Sequence, residues 1–177
     1  MPNYYIVTAK VGVGCEEENG KLTYVDLPHT YGFKDRKLAE KLKSGDKLLF
    51  YVAPNWGFVM NIEVQEGGVH EKRDLLKDFP FRVKVKVLCE IRDKHLMPKW
   101  ADLWHELNKC QGKSPKGAAQ ILRKPLIQID EHDYILILVN IYRGYAIEIQ
   151  GKTNQNLSTV KFIEVLCESL DVKNREH

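Results

Sequence analysis

The chain has 177 residues and a mass of 20.5 kDa, room for one domain and a small appendage. Apolar residues make up 44% and charged residues 29%, a globular balance that excludes a disordered, collagenous or coiled-coil chain. The net charge of +3, from 27 basic and 24 acidic residues, argues for no particular partner, so any nucleic-acid footprint must lie in how the charge is distributed.

Residues 4–9, Tyr-Tyr-Ile-Val-Thr-Ala, are β-branched and aromatic and read as a first strand buried on both faces. Residues 11–30 hold Gly12, Gly14, Gly20, Pro28 and the acidic run Glu16-Glu17-Glu18. They read as a long loop, or as a short hairpin turning at Asn19-Gly20 with its return strand over 21–25. An amphipathic helix follows over 35–42, with Asp35 at its start and Leu38, Ala39 and Leu42 on one side. Ser44-Gly45-Asp46 stops it. Strands are expected over 47–53 and 56–64, joined by a turn at Pro54-Asn55, and Gly67-Gly68 is expected to break the chain before a charged loop over 70–78. Residues 82–87 alternate between basic residues and valine, the pattern of a half-buried strand with solvated cations outside.

Trp100, Leu103, Trp104 and Leu107 repeat at helical spacing over 98–108. A basic loop over 112–117 leads to a short helix over 118–122. Asp130, with Asp133 three residues on, caps a helix expected from 131 to about 142. Beyond Gly144, residues 145–149 alternate like a strand. Ser158 caps a last amphipathic helix carrying Val160, Ile163, Leu166, Cys167 and Leu170, a surface that could meet a protein partner. Short turns between consecutive strands imply an α+β fold with a curved, mostly antiparallel sheet and short helices at its margins. The domain is placed at 1–142, with a C-terminal extension over 143–177.

Cys15, Cys89, Cys110 and Cys167 form no CxxC pair, and no histidine is spaced to complete a zinc quartet. Reduced core cysteines in a cytoplasmic protein, with no metal and no cofactor, are the expectation. The first residues hold no basic stretch followed by an apolar run, so no signal peptide is expected. The longest apolar run, 134–139, is far short of the ~20 residues of a membrane span. Gly12-Val13-Gly14 would need a third glycine at 17 to cradle a phosphate, and that position is Glu17. Gly112-Lys113-Ser114 lacks the earlier glycine and the preceding strand of a phosphate loop. No two of the six histidines pair at i+3 or i+4, and the chain is read as a binding protein, not an enzyme.

The charge distribution says more. Residues 79–125 hold eleven basic residues against four acidic ones, a local excess above that of the whole chain. Phe79, Phe81, Trp100 and Trp104 interleave with them, which is what phosphate attraction plus base stacking requires. The same residues also fit a solvated strand edge and a pair of core tryptophans. Arg82, Lys84, Lys86, Lys113 and Lys116 are the candidate phosphate ligands. Tyr31, Trp56 and Phe58 form a second aromatic group, placed at turns, where rings can box a flat base or a methylated amine. Tyr31 and Trp56 are the candidate rings for the base.

Five segments, in order, resemble the EVE domain, a member of the PUA-like superfamily and a structural cousin of the YTH reader domains. They are the opening strand over 4–8, the aromatic-Gly-apolar turn Tyr31-Gly32-Phe33, the block Leu42-Lys43-Ser44-Gly45-Asp46-Lys47-Leu48-Leu49-Phe50-Tyr51-Val52, the strand Phe79-Pro80-Phe81-Arg82-Val83-Lys84-Val85-Lys86, and Glu131-His132-Asp133-Tyr134. The resemblance covers about residues 4–142. It implies a curved, barrel-like sheet and a positively charged cleft with an aromatic cage for a modified, methylated base on nucleic acid, DNA before RNA; the alternative is an RNA-binding module that reads shape and not modification. Carried over by position, Tyr31 is one cage wall, the backbone of Gly32 and Phe33 reads the base edge, and Ala9 and Lys10 border the pocket. Tyr31 stands where the family usually has Trp. The loop over 67–78 has no aromatic residue where the cousin domains place a second wall, which leaves Trp56 or Phe79 to substitute. Related modules are the DNA-reading heads of McrBC-like restriction systems.

Overall fold

The computed structural model describes residues 1–12, 14–24, 29–54, 56–72 and 78–153. Tyr4–Val11 is β1, and its Tyr5, Ile6 and Val7 are buried on both faces of the sheet, as their apolar character demands. The next stretch takes the hairpin alternative. Gly14–Glu18 (β2) pairs antiparallel with Lys21–Tyr24 (β3), and Asn19 and Gly20, both with positive φ, make the two-residue turn. Thr30–Phe33 (β4) precedes one helical turn, Arg36–Ala39 (α1), where the Asp35 carboxylate accepts the Lys37 amide at 2.8 Å. Lys47–Ala53 (β5) spans the expected residues. Gly57–Glu71 (β6) does not stop at Gly67-Gly68. Its pairing with Phe81–Glu90 (β7) slips between Val64 and Val69, so the two glycines sit in a bulge and the strand runs on.

The helix expected over 98–108 is one α turn, Trp100–Leu103 (α2), followed by 3-10 turns at Trp104–Glu106 and Asn108–Cys110. Trp100, Leu103 and Leu107 still fill the core. Pro115–Ile121 (α3) begins earlier than expected because Ser114 accepts the Gly117 amide at 3.2 Å and Pro115 takes the first helical position, where its missing N–H is not needed. Leu126–Ile129 (β8) is a strand that four residues are too few to announce. Glu131–Thr153 (α4) opens on Asp130, whose carboxylate accepts the Asp133 amide at 2.8 Å.

The strand expected over 145–149 is therefore helix. Gly144 is no stop signal; it lets α4 pass close to the backbone at Leu96, where a Cβ would lie 2.3 Å from the Leu96 carbonyl oxygen. The helix expected over 158–170, and Cys167 within it, lie outside the described residues.

The sheet order is β3-β2-β1-β5-β6-β7-β4, with β8 paired to β1. β1 is the hub. β5 runs parallel along one of its edges, and the other edge is shared by antiparallel β8, at Tyr4 to Val7, and by parallel β2, at Lys10 and Val11. Those two parallel pairings make the sheet mixed; the other pairings are antiparallel, as expected. The sheet curls into a half-barrel, and α4 packs on it, with Tyr134 stacked on Tyr4 at 4.4 Å and its hydroxyl donating to Asn61 Oδ1 at 3.2 Å. Cys15, Cys89 and Cys110 are buried free thiols. Among the described residues no helix is long and apolar enough to cross a membrane.

Candidate nucleic-acid interface

β4 ends the sheet, and its register with β7 decides which way each of its groups points. Tyr31 lies opposite Val83 and Phe33 opposite Phe81, while Thr30 faces Lys84 and Gly32 faces Arg82. Side chains alternate, so Tyr31, Phe33 and Val83 share the inner face, and Thr30, Arg82 and Lys84 share the outer one. The Val85 amide donates to the His29 carbonyl at 3.0 Å. Counting along the ladder, 31/83 and 33/81 are then hydrogen-bonded pairs and 32/82 is not. The backbone of Phe33 is thus spent on β7. The amide and carbonyl of Gly32 point the other way, to the open margin of the sheet.

On the inner face Tyr31 is half-buried. It meets Phe33 at 5.0 Å and Phe50 at 5.5 Å, both nearly perpendicular. Tyr24 meets the same Phe50 at 5.7 Å and 89° and is half-buried too. The Tyr31 hydroxyl donates to the Thr8 carbonyl at 3.4 Å. Thr8 in turn donates its amide to the Pro125 carbonyl at 3.5 Å and its hydroxyl to the Lys124 carbonyl at 3.0 Å. Thr8 therefore faces the edge that β8 and β2 share, and Tyr31 bridges from the last strand to the hub across the seam of the half-barrel. Half-buried Ala9 and exposed Lys10 follow Thr8 along the same rim.

Burial holds the Tyr31 phenol well above its usual range, with Cys15 adding to the shift and Arg82 opposing it, so the hydroxyl is a neutral donor. The Cys15 thiol is pushed up to about 11, by burial and then by Glu16, and lies 3.5 Å from the Lys10 carbonyl. It is protonated at neutral pH and is no nucleophile.

Several sequence expectations need correction. Arg82 is 1% exposed and cannot reach a phosphate. It lies behind Gly32 on the outer face, donating from Nε to Thr30 Oγ1 at 2.6 Å, with Nη1 and Nη2 3.5 Å from the Phe79 and Thr30 carbonyls. Neighbouring β4 covers it, which the strand alternation alone does not reveal. Trp56 is also 1% exposed, so it is a core ring and no open cage wall. Its indole donates to Glu17 Oε2 at 3.2 Å, Lys94 covers its face at 4.5 Å, and Lys99 binds its carbonyl.

Lys84 and Lys86 are exposed, as expected, but on the face opposite Tyr31. The stem of Lys84 lies along Gly67. Phe79 is half-buried with the Lys34 ammonium 5.9 Å from its ring centre, and its carbonyl meets Gly32 from the outer side. Lys113 and Lys116 are exposed around the start of α3. The structure thus brings Tyr31, next to Gly32, against Thr8, the residue before Ala9 and Lys10, and sets Trp56, Arg82, Lys84 and Lys86 apart from it. Sequence reasoning missed Thr8, Tyr24 and Phe50, which only the pairing of distant strands brings to Tyr31.

Two other features are accounted for. Asp130, His132 and Asp133 come within 4.8 Å of one another, but both Asp133 oxygens are taken by the Asn108 and Lys109 amides, at 2.6 and 2.9 Å, and Asp130 caps α4. A pocket of about 260 Å³ between the 95–103 segment and α4 is lined by Lys99, Asp102, Asn140 and Arg143 among others, and the Lys99 ammonium there already binds the carbonyls of Trp56 and Lys94.

The curled, mixed half-barrel with a helix packed on it is the α+β architecture expected from the sequence, and solved structures share it. Among solved structures, protein Atu2648 from Agrobacterium tumefaciens matches with a TM-score of 0.51 at 17% identity, over 78% of this chain and 92% of that one. A hypothetical protein from Leishmania major matches with a TM-score of 0.50 at 14% identity, over 79% and 95%. Human THYN1 in complex with 5-methylcytosine-containing DNA matches with a TM-score of 0.45 at 12% identity, over 78% and 97%, a likeness too loose to carry a residue or a ligand across. No family model and no curated protein matches the sequence.

Proposed function

We propose that this protein is a cytoplasmic, non-catalytic nucleic-acid reader that takes a modified, methylated base against Tyr31, on DNA in preference to RNA. The observation that carries the reading is the position of Tyr31, a partly buried ring at the seam of the half-barrel whose hydroxyl meets Thr8, next in the chain to Ala9 and Lys10, with the backbone of Gly32 beside it pointing to the sheet margin. A planar heterocycle resting there has a ring to stack on. The Gly32 N–H and C=O offer one donor and one acceptor to its polar edge. Taking a base out of its stack costs a few kcal/mol, least in a single strand. Stacking on an aromatic ring returns about 1–3 kcal/mol per base, and cations near the site supply the rest through the phosphates.

The test is a binding panel of oligonucleotides carrying 5-methylcytosine, N6-methyladenine or no modification, each made as DNA and as RNA. Tyr31→Ala should abolish preference for the modified base and leave weak, salt-sensitive binding. Tyr31→Phe keeps the ring and should keep the preference. A preference that survives Tyr31→Ala, or tighter binding to the RNA of each matched pair, overturns the corresponding part of the reading.

A further inference from the structure

Lys84 and Lys86 face away from Tyr31 and Arg82 is buried, so the cations that would hold phosphates next to a bound base must lie elsewhere. The segment from Leu107 to Ile129 contains Lys109, Lys113, Lys116, Arg123 and Lys124 and no acidic residue. All five are exposed, and none forms an ion pair among the described residues. The segment is anchored at both ends. Asp133 binds the Asn108 and Lys109 amides at one end, and β8 pairs with β1 at the other.

Its connection to the base site is direct. The Lys124 carbonyl accepts from the Thr8 hydroxyl at 3.0 Å, and the Thr8 carbonyl accepts from the Tyr31 hydroxyl at 3.4 Å. Two hydrogen bonds through one residue therefore separate the proposed stacking ring from the backbone of the Arg123-Lys124 pair. This backbone is tied to Thr8 at the Lys124 and Pro125 carbonyls, while both side chains are exposed. Lys10 stands on the same rim, two residues beyond Thr8. Such an arrangement, a partly buried ring at the seam with exposed cations along the rim, fits a polyanionic strand that passes along the rim and turns one base toward the ring.

We propose that the 107–129 segment is the phosphate-binding surface of this protein, with Arg123 and Lys124 contacting the phosphates that flank the base at Tyr31, and Lys109, Lys113 and Lys116 extending the track. The proposal rests on the nucleic-acid reading above and adds the surface along which the strand runs.

The probe is a fluorescent 16-base-pair DNA duplex with a single 5-methylcytosine, alongside its unmodified counterpart. Dissociation constants are measured between 50 and 200 mM salt for the parent, R123Q/K124Q, K84Q/K86Q and Tyr31→Ala. Each phosphate contact contributes about 0.9 to the slope of log K against log salt on duplex DNA. R123Q/K124Q should lower that slope by about 1.8 and weaken binding at the lowest salt by about tenfold or more, while the ratio between the two probes stays that of the parent. K84Q/K86Q should change the slope by less than half as much. An unchanged slope in R123Q/K124Q, or a larger loss in K84Q/K86Q, overturns this assignment. If Tyr31→Ala still removes the preference in that case, the base-site reading survives alone. A parent that binds neither probe in a salt-dependent way overturns both.

Discussion

Replacing Gly32 by alanine should drive a methyl group into space that the Arg82 guanidinium occupies. A Cβ there would lie 2.7 Å from Arg82 Nη1 and 2.8 Å from the Phe79 carbonyl oxygen. Carbon atoms do not tolerate either distance. The guanidinium and the Phe79 backbone must therefore both shift, and a shift of the guanidinium disturbs its 2.6 Å bond to Thr30 Oγ1. Overpacking a filled site costs about 1–3 kcal/mol. Weakening a buried hydrogen bond from a charged group adds about 1.5–3 kcal/mol. Gly32→Ala should therefore cost about 3–5 kcal/mol, a large part of the margin of an ordinary domain. Urea unfolding followed by circular dichroism measures it, with a denaturant slope like the parent's as the sign that only stability has changed. Combined with Arg82→Ala the two losses should be less than additive by about 1 kcal/mol or more, because the first change removes part of what the second disturbs. A loss below about 1 kcal/mol, or strict additivity, refutes the packing of Arg82 behind Gly32.

Asp133→Ala should cost about 3 kcal/mol or more, since it strands two backbone amides that the fully buried carboxylate now binds; a melting temperature within a degree of the parent's would contradict that role. Glu63 supplies a pH dependence. Burial works to raise its carboxyl, but hydrogen bonds from Lys47 and Gln65, with the charges of Lys47 and Lys86, outweigh burial and hold it below the ordinary 4.5. A depressed folded value means that its contribution is complete above about pH 4.5 and is lost as the pH falls through the folded value. Between about pH 6 and pH 3 the Glu63→Gln variant should lose less stability than the parent, and parallel pH profiles would show that the Lys47 pair is worth nothing.

Where local chemistry decides structure, the residues announced it. Asn19-Gly20 favours a tight hairpin, one of the two readings open for that stretch, Asp35 and Asp130 carry their capping oxygens where the helices start, and the apolar block of β5 fits a buried strand. Features set by distant neighbours were not legible. Arg82 sits at an outward position of an alternating strand, and only β4, arriving from fifty residues earlier in the chain, turns that position into an interior one. Trp56 is drawn inward by Glu17 and roofed by Lys94, neither of them near it in sequence. At the candidate site, Tyr31, Gly32, Ala9 and Lys10 come from the resemblance to a known pattern. The bond of Tyr31 to Thr8, and of Thr8 to Lys124, depends on three strands meeting and has no local signal.

The hub strand's divided edge has a consequence for biosynthesis. β1 can join β5 as soon as residue 53 has left the ribosome, but the Tyr4-to-Val7 part of its opposite margin stays bare until residues 126–129 are made. At about 5–20 residues per second that interval lasts several seconds. Throughout it the nascent chain displays Tyr5, Ile6 and Val7 on a strand with one open edge, the kind of template on which neighbouring polypeptides aggregate. A stop codon or frameshift anywhere before Leu126 would make that exposure permanent, so truncated products should be insoluble however much of the remaining sheet they contain.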